Sequence, residues 1–322
     1  MMELVSRLFR WIKINRGKIA LSLASLFAFL FLLFPFDELT DLISSQVSKA
    51  TQNQVYLQFD ELDLSLLPTP EVEMGQIRLE TRALPTVQIQ NLLVAPSLSA
   101  LLYQQPYGNV IAQGILDGTI RVQMSKGTDS GNGLARQRVQ LQAEKLNLKD
   151  LRELAKLPIL LKGRMNFEGQ ALADLSFQEQ PEMDINLTIQ QFEIPPSNVN
   201  TPMGPLTLPD LRLSQVSIKG KLSGGSLNIE SGTLGNANDE LSGSIRGSIR
   251  MNLQNMNGSI KPQFGGYDLT LDLSAKKSFQ DKAGLFLGFV DSYKRPTADG
   301  AQYRFKIVTN NPQMPPQFSS VQ

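Results

Sequence analysis

Apolar and polar residues alternate with a period of two through most of the chain, from Leu57 to Leu273. Successive side chains of a β-strand point to opposite faces, so this period predicts strands that have one apolar and one polar face. The alternation is clearest in four segments: Leu62, Leu64 and Leu66; Val139, Leu141 and Ala143; Met183, Ile185, Leu187 and Ile189; and Leu269, Leu271 and Leu273.

Turn residues separate these segments at short intervals. Asp117-Gly118, Gly224-Gly225 and Asn257-Gly258 are dipeptides typical of tight β-hairpins. Short links join antiparallel neighbours, because parallel strands need a crossover of about a dozen residues or more. The sequence therefore predicts a mostly β body: an elongated, curved antiparallel β-sheet with few short helices.

The N-terminus predicts a membrane anchor. Residues 1–18 carry five basic side chains against Glu3, a net charge of +4, and residues 19–36 are almost wholly apolar. Eighteen helical residues extend roughly 27 Å, close to the hydrocarbon thickness of about 30 Å. Because basic residues stay on the cytoplasmic side, we expect a single transmembrane helix with a cytoplasmic N-terminus and a body on the other side of the membrane.

A cleaved signal peptide is the rival interpretation of this segment. Its apolar core is shorter, about 7–15 residues, and ends at small residues. Here the apolar run ends with the bulky sequence Leu33-Phe34-Pro35-Phe36. This ending favours an uncleaved anchor.

Three short helices are expected outside the anchor. Helical spacing of apolar residues predicts an amphipathic helix at 38–51, a short helix at 149–157 and a longer one at 278–293. In the last of these, Gly284 and Gly288 predict close packing against the sheet. Its aromatic residues leave open a contact with a membrane surface or with the mouth of a groove; these residues are Phe279, Phe286, Phe289 and Tyr293.

The expected organisation follows from these segments and from a proline-rich stretch that contains Pro195, Pro196, Pro202, Pro205 and Pro209. We expect five parts: a cytoplasmic tail at 1–18, a transmembrane helix at 19–36, a periplasmic β region at 37–193, a C-terminal β region at 194–309 and a disordered tail at 310–322.

Composition narrows the possible functions. The 322 residues include no His and no Cys. This excludes catalytic triads and dyads that use imidazole, structural zinc sites built on thiolates and imidazoles, and disulfides. With +1 overall and +4 in the tail, residues 19–322 carry −3, which argues against a nucleic-acid partner. We expect a protein that is not an enzyme, with no catalytic, cofactor-binding or metal-binding residues.

One motif keeps a catalytic hypothesis open. Ser274 and Lys277 match S-x-x-K, in which a lysine deprotonates a serine nucleophile without histidine. No second motif accompanies the pair, and four-residue matches are common by chance. A hydrolase that uses Ser274 and Lys277 therefore has little support from the sequence.

Longer stretches resemble known envelope proteins. A basic tail, a membrane span and an amphipathic helix follow one another, and after them come the stretches VYLQFDELDLSLLPTPEVEMGQIRLE and LPTVQIQNLLVAPSLSALL. This arrangement resembles the AsmA-like superfamily. The segment 139–169 is also similar to that superfamily. The segment SGGSLNIESGTLGNANDELSGSIRGSIRMN at 223–252 resembles the type II secretion system protein N family. The likeness covers about residues 19–290, and chain length favours the protein N family.

The resemblance implies two functions. The first is an inner-membrane-anchored periplasmic accessory or scaffold of the type II secretion system, with other secretion components as partners. The second is an AsmA-like lipid carrier or bridge between the two membranes, with phospholipid as a partner. A continuous apolar lining that is open at both ends would favour lipid transport, whereas a tightly filled interior would favour the scaffold.

Overall fold

The structure is a computed structural model that describes residues 39–321 with short gaps. The gaps are 52, 66–68, 82–84, 98–104, 130–134, 156, 158, 175–177, 202–203, 257–258 and 313; residues 16–18, 21–22, 25–26 and 29 are also described, as helix. Most of the span expected at 19–36 therefore lies outside the described residues. None of the helices in the described residues combines the length and the apolar character that crossing a bilayer requires.

Strands make up most of the described chain. Their bounds are β1 Val55–Gln58, β2 Glu61–Ser65, β3 Glu71–Thr81, β4 Val87–Pro96, β5 Gly108–Ile115, β6 Gly118–Lys126, β7 Gln137–Asn147, β8 Lys162–Ala173, β9 Glu182–Ile194, β10 Ser197–Thr201, β11 Gly204–Leu208, β12 Leu211–Ser223, β13 Ser226–Leu234, β14 Leu241–Met256, β15 Ser259–Lys276, β16 Lys294–Thr297, β17 Gly300–Thr309 and β18 Gln317–Ser320. The helices are α1 Leu39–Ala50, α2 Leu148–Ala155, α3 Lys277–Gly288 and a 3-10 turn at Asp291–Tyr293.

Sixteen of the described strands form one antiparallel sheet in nearly sequential order. The order is β1-β3-β4-β5-β6-β7-β8-β9-β12-β13-β14-β15-β17-β16, with β2 beside β3 and β18 beside β17. Thirteen spacings of about 4.8 Å make the sheet roughly 60 Å long across its strands. The prediction of a mostly β fold, with one large antiparallel sheet and few short helices, is confirmed.

The proline-rich stretch is an insertion in the sheet. Strands β10 and β11 form a separate two-stranded hairpin within it. On either side of the hairpin, β9 and β12 pair directly, with Ile189 opposite Val216 and Leu187 opposite Ile218. The sheet thus continues across the boundary that the sequence suggests between 193 and 194.

Two clusters of buried side chains lie at the two ends of the sheet. At the first end, Ile43 and Val47 of α1 pack against a buried group that includes Leu57 and Ile77. At the other end, Phe279 and Ala283 of α3 are buried with Val216, Tyr303 and Phe305 of the sheet. Burial of their apolar stripes fixes α1 and α3 on the sheet, because isolated helices of this length are marginal in water.

Both edges of the sheet are short and interrupted. Strands β1 and β2 each pair with part of β3, and strands β16 and β18 each pair with part of β17. The edge strand β16 is exposed and carries Lys294, Arg295 and Pro296. Charged residues, proline and short strands at an edge hinder the addition of a further strand.

Two expectations about the C-terminal part need correction. In the tail 310–322, expected to be disordered, β18 pairs with β17, and the Phe318 ring lies 6.0 Å from that of Phe305. Gly284 and Gly288 do not mark close packing, because a Cβ built on either would meet no described atom within 4 Å. The buried stripe of α3 instead runs through Phe279 and Ala283.

Candidate functional site

The sheet has a central region of apolar side chains that belong to neither buried cluster. These side chains are only partly buried, and we call them the central strip. Its members are Val110, Ile120, Val122, Met124, Val139, Leu141, Phe167, Met183, Ile185, Leu187, Leu227, Ile245, Ile249 and Leu269.

The register of the strands places the strip on one face. Residues opposite each other in neighbouring strands share a face, so rows can be followed across the sheet. One row runs through Leu64, Val72, Val94, Val110, Val122, Leu141, Gly169, Ile185, Gly220, Ile229, Gly247, Leu269, Ile307 and Phe318. Every member of this row is apolar or glycine, so the lining is continuous from one edge to the other.

A second, parallel row has the same character. It runs through Leu62, Met74, Leu92, Ala112, Ile120, Ala143, Phe167, Leu187, Ile218, Gly232, Ile245, Leu271 and Phe305. A third row, Met124, Val139, Ala171, Met183, Leu222, Leu227, Ile249 and Tyr267, lies on the far side of the first. Together the rows form the apolar face of the sheet.

Several glycines in these rows have no room for a side chain. A Cβ on Gly232 would collide with the Ile245 side chain, and a Cβ on Gly169 would lie 2.9 Å from the Phe167 ring. Gly247 has φ +139, and a Cβ there would collide with the carbonyl oxygen of Asp268. Large and small residues therefore alternate along the first row from Leu141 to Leu269, which gives the surface a relief of ridges and troughs.

The opposite face is polar and carries cross-strand ion pairs. Arg121 lies 2.6 Å from Glu144, and Lys306 lies 2.8 Å from Asp268. These pairs are exposed and contribute little to stability, about 0–1 kcal/mol each. Their position identifies this face as the solvated one, and the asymmetry between the two faces holds across the sheet.

None of the described helices covers the central strip. Their main contacts join α1 to β1, α2 to β7 and β8, and α3 to β15 and β17. Exposed apolar surfaces of this kind are typical of sites that bind an apolar ligand or a partner. The strip offers no charged or hydroxyl group, so its chemistry is limited to burying hydrocarbon.

Two adjacent carboxylates, Asp239 and Glu240, accept hydrogen bonds from the sheet and from α3 respectively. Asp239 Oδ2 accepts hydrogen bonds from the Ser214 and Asn236 backbone N–H groups, both 2.9 Å, and from Ser214 Oγ at 2.8 Å. Burial alone would raise the pKa of Asp239, but these hydrogen bonds outweigh it and the pKa is lowered. Hydrogen bonds from Lys282 and Ser278 likewise lower the pKa of Glu240.

A cavity of about 910 Å³ lies at the ends of strands β3–β7, where residues of both faces of the sheet line it. Met124, Lys126 and Gln137 are among its lining residues. Gln137 is only 8% exposed, yet its side-chain oxygen has no hydrogen-bond partner in the described chain. Such an orphaned acceptor costs about 1–3 kcal/mol unless a donor reaches it.

The two catalytic candidates lie at the junction of β15 and α3. Ser274 lies near the end of β15 and Lys277 begins α3; both are exposed. Neither residue is among those that line the described cavities.

Two large apolar side chains are exposed at the C-terminal end of α3 and just beyond it. Leu285 is 64% and Phe289 is 66% exposed, whereas Phe279 of the same segment is buried. Of the aromatic residues expected to touch a membrane or a groove, Phe279 instead belongs to the core, with Tyr293 packed against it.

Sequence reasoning identified the apolar face but missed Gln137. The available signal was its position in the alternation: Gln137 falls on the same face as Val139, Leu141 and Ala143, where an apolar residue is expected.

No protein family, no curated protein and no solved structure matches the chain.

Proposed function

We propose that this protein binds the acyl chains of phospholipids on the apolar face of its sheet and carries them through the periplasm. The observation that supports the proposal is the continuous apolar lining, whose central strip is left uncovered by the helices. Transfer of each methylene from water contributes about 0.8 kcal/mol. Some ten methylenes laid along the strip would therefore offset much of the cost of association.

The proposal includes the membrane anchor and the site of action. Residues 19–36 would span the bacterial inner membrane, with the N-terminus in the cytoplasm and the body in the periplasm. The basic residues that precede the apolar run support this orientation. A sheet that curves into a groove, as the sequence predicts, would shelter acyl chains from water on the way to the outer membrane.

Substitution of one residue in the central strip tests the proposal. The change Leu187→Asp places a carboxylate on the apolar face, and we expect it to reduce co-purifying phospholipid at least about tenfold, because a buried charge would lie against hydrocarbon. The measurement is mass spectrometry of lipids extracted from the full-length protein.

Thr188→Asp is the matched control, because Thr188 neighbours Asn166 and Ser217 on the polar face. It adds the same charge one residue away, and we expect it to retain lipid. Ile245→Asp provides a second position on the strip. Wild-type protein without co-purified or exchangeable phospholipid would contradict the proposal, as would equal retention by Leu187→Asp and Thr188→Asp in folded protein.

An accessory role in type II secretion is the second candidate, and it depends on the resemblance of residues 223–252 to the protein N family. In the fold this segment forms the adjacent strands β13 and β14. The short, charged sheet edges do not favour strand addition by a partner. Deletion of the protein would distinguish the two functions: loss of secreted enzymes with normal membrane lipid distribution would favour the accessory role.

A further inference from the structure

We infer that the cavity beside Gln137 selects a phospholipid headgroup that carries a primary ammonium, as phosphoethanolamine does. This inference rests on the proposed function, because it assigns the polar end of a lipid whose chains lie along the apolar face. It concerns a different part of the molecule, and a separate measurement decides it.

The position of Gln137 connects the cavity with the apolar face. Residues 137 and 139 are two apart on β7, so their side chains point to the same face. Val139 pairs with Met124 and Ala171 in an apolar row. Gln137 lies one step further toward the end of the strand, paired with Lys126 and Ala173. A lipid whose chains follow the strip would place its polar end here.

The side chain of Gln137 has an unused acceptor. It is buried, and Oε1 lacks a hydrogen-bond donor among the described residues. A buried carbonyl oxygen requires a donor to offset its desolvation. Because Oε1 has almost no exposed surface, the Gln137 amide must turn toward the cavity to meet an N–H or O–H group of a ligand. A quaternary ammonium has no such group.

The charges around the cavity suit a zwitterionic headgroup. Lys126 is exposed and, in the described part of the chain, forms no ion pair; its ammonium is available to a phosphate. Glu71 and Asp129 also line the cavity, so its formal charge is negative overall. This balance favours a headgroup that combines a phosphate with a cation over one that is only anionic.

The size of the cavity is compatible with this ligand. Its volume of about 910 Å³ lies within the range of pockets that hold small molecules. The lining combines Met124 and Pro96 with polar groups, as expected where an apolar surface gives way to a headgroup site.

Three phospholipids separate the contribution of the headgroup N–H donor from that of the headgroup charge. Full-length protein is incubated with vesicles of equal parts dioleoyl phosphatidylethanolamine, phosphatidylglycerol and phosphatidylcholine, recaptured, and its bound lipids are quantified. Ethanolamine and choline lipids have the same formal charge, so their ratio isolates the hydrogen-bond donor. One hydrogen bond to a buried acceptor predicts roughly fivefold to tenfold enrichment of phosphatidylethanolamine over phosphatidylcholine.

Variants of Gln137 identify the group responsible. Gln137→Met keeps the shape but removes the acceptor, and we expect the ratio of bound phosphatidylethanolamine to bound phosphatidylcholine to fall to about one. Gln137→Glu retains an acceptor oxygen and is expected to retain the enrichment. Lys126→Met changes an exposed side chain, so it should fold; we expect it to lower both phospholipids relative to diacylglycerol in a parallel mixture.

The outcomes separate the inference from the proposed function. Bound lipid without ethanolamine enrichment would overturn the headgroup inference and leave acyl-chain binding intact, as would enrichment that persists in folded Gln137→Met. Should Gln137→Met fail to fold, an unchanged phospholipid-to-diacylglycerol ratio in Lys126→Met would overturn the inference. Absence of every lipid from the wild-type protein would overturn the proposed function itself.

Discussion

Single glycines decide whether neighbouring strands of this sheet can approach each other. Gly247 has φ +139, a backbone conformation that side chains disfavour, and a Cβ there would meet the Asp268 carbonyl oxygen. We expect Gly247→Ala to destabilise the protein by about 2–3 kcal/mol. Chemical denaturation monitored by circular dichroism measures the effect.

Gly284 is the control for this substitution. It lies in α3, and a Cβ there meets no described atom within 4 Å. Alanine favours a helix over glycine by about 1 kcal/mol, so Gly284→Ala should leave stability unchanged or raise it slightly. Equal destabilisation by both substitutions would contradict the role assigned to Gly247.

Asp239 gives the protein a pH-dependent contribution to stability. Its pKa is lowered from the ordinary value of 3.8 by hydrogen bonds that outweigh burial. A lowered folded-state pKa contributes stability above the ordinary pKa, and that contribution is lost as the pH falls through the folded value. We expect Asp239→Asn to cost about 1 kcal/mol at pH 7, and the difference from wild type to shrink below about pH 4.

Unfolding titrations at pH 7, 5 and 3 measure this difference. Asp281→Asn serves as the control, because Asp281 is exposed on α3, and it should change stability by less than about 0.5 kcal/mol. A difference between wild type and Asp239→Asn that grows toward low pH would have the opposite sign to the one expected.

Helix α3 and the residue that follows it have two sides with different roles. Phe279 is 6% exposed in the C-terminal buried cluster, whereas Phe289 is 66% exposed just beyond the helix. We expect Phe279→Ala to cost about 3–5 kcal/mol, because it removes a buried ring and leaves a cavity. Phe289→Ala should remain within about 0.5 kcal/mol of wild type. Thermal unfolding of the two variants tests this, and similar losses would show that α3 is oriented differently.

Strand positions could be predicted from the sequence because side-chain alternation is local. The alternation of Val139, Leu141 and Ala143 predicts β7 and its apolar face correctly. It does not predict that Leu146, three residues after Ala143, is buried as well. A bulge at this point, where Lys145 has φ 59, shifts the alternation by one residue.

Other features depend on distant parts of the chain. Strand β18 exists because Phe318 packs on Phe305, and nothing within the tail itself indicates this contact. Gln137 is recognisable as part of a cavity only once β3–β7 are placed side by side. Local pattern therefore gives the strands and their faces, while bulges, edge strands and the polar end of the apolar face depend on tertiary packing.

Among the described residues, the defining property of the protein is one apolar face with buried clusters at both ends and an uncovered centre. Helices α1 and α3 pack on the two clusters, and no described helix covers the strip between them. A scaffold would have no need for such a lining, since exposed hydrocarbon carries a risk of aggregation. The arrangement suits a ligand that is long, flexible and apolar.

Photo-crosslinking with a phospholipid that carries a diazirine midway along one acyl chain tests this central claim most directly. Full-length protein is loaded from vesicles, irradiated and digested, and the modified residues are located by mass spectrometry. We expect adducts to concentrate on apolar-face positions such as Leu141, Ile185 and Ile245. Adducts distributed equally over the polar face, or confined to residues 1–38, would contradict acyl-chain binding by the sheet.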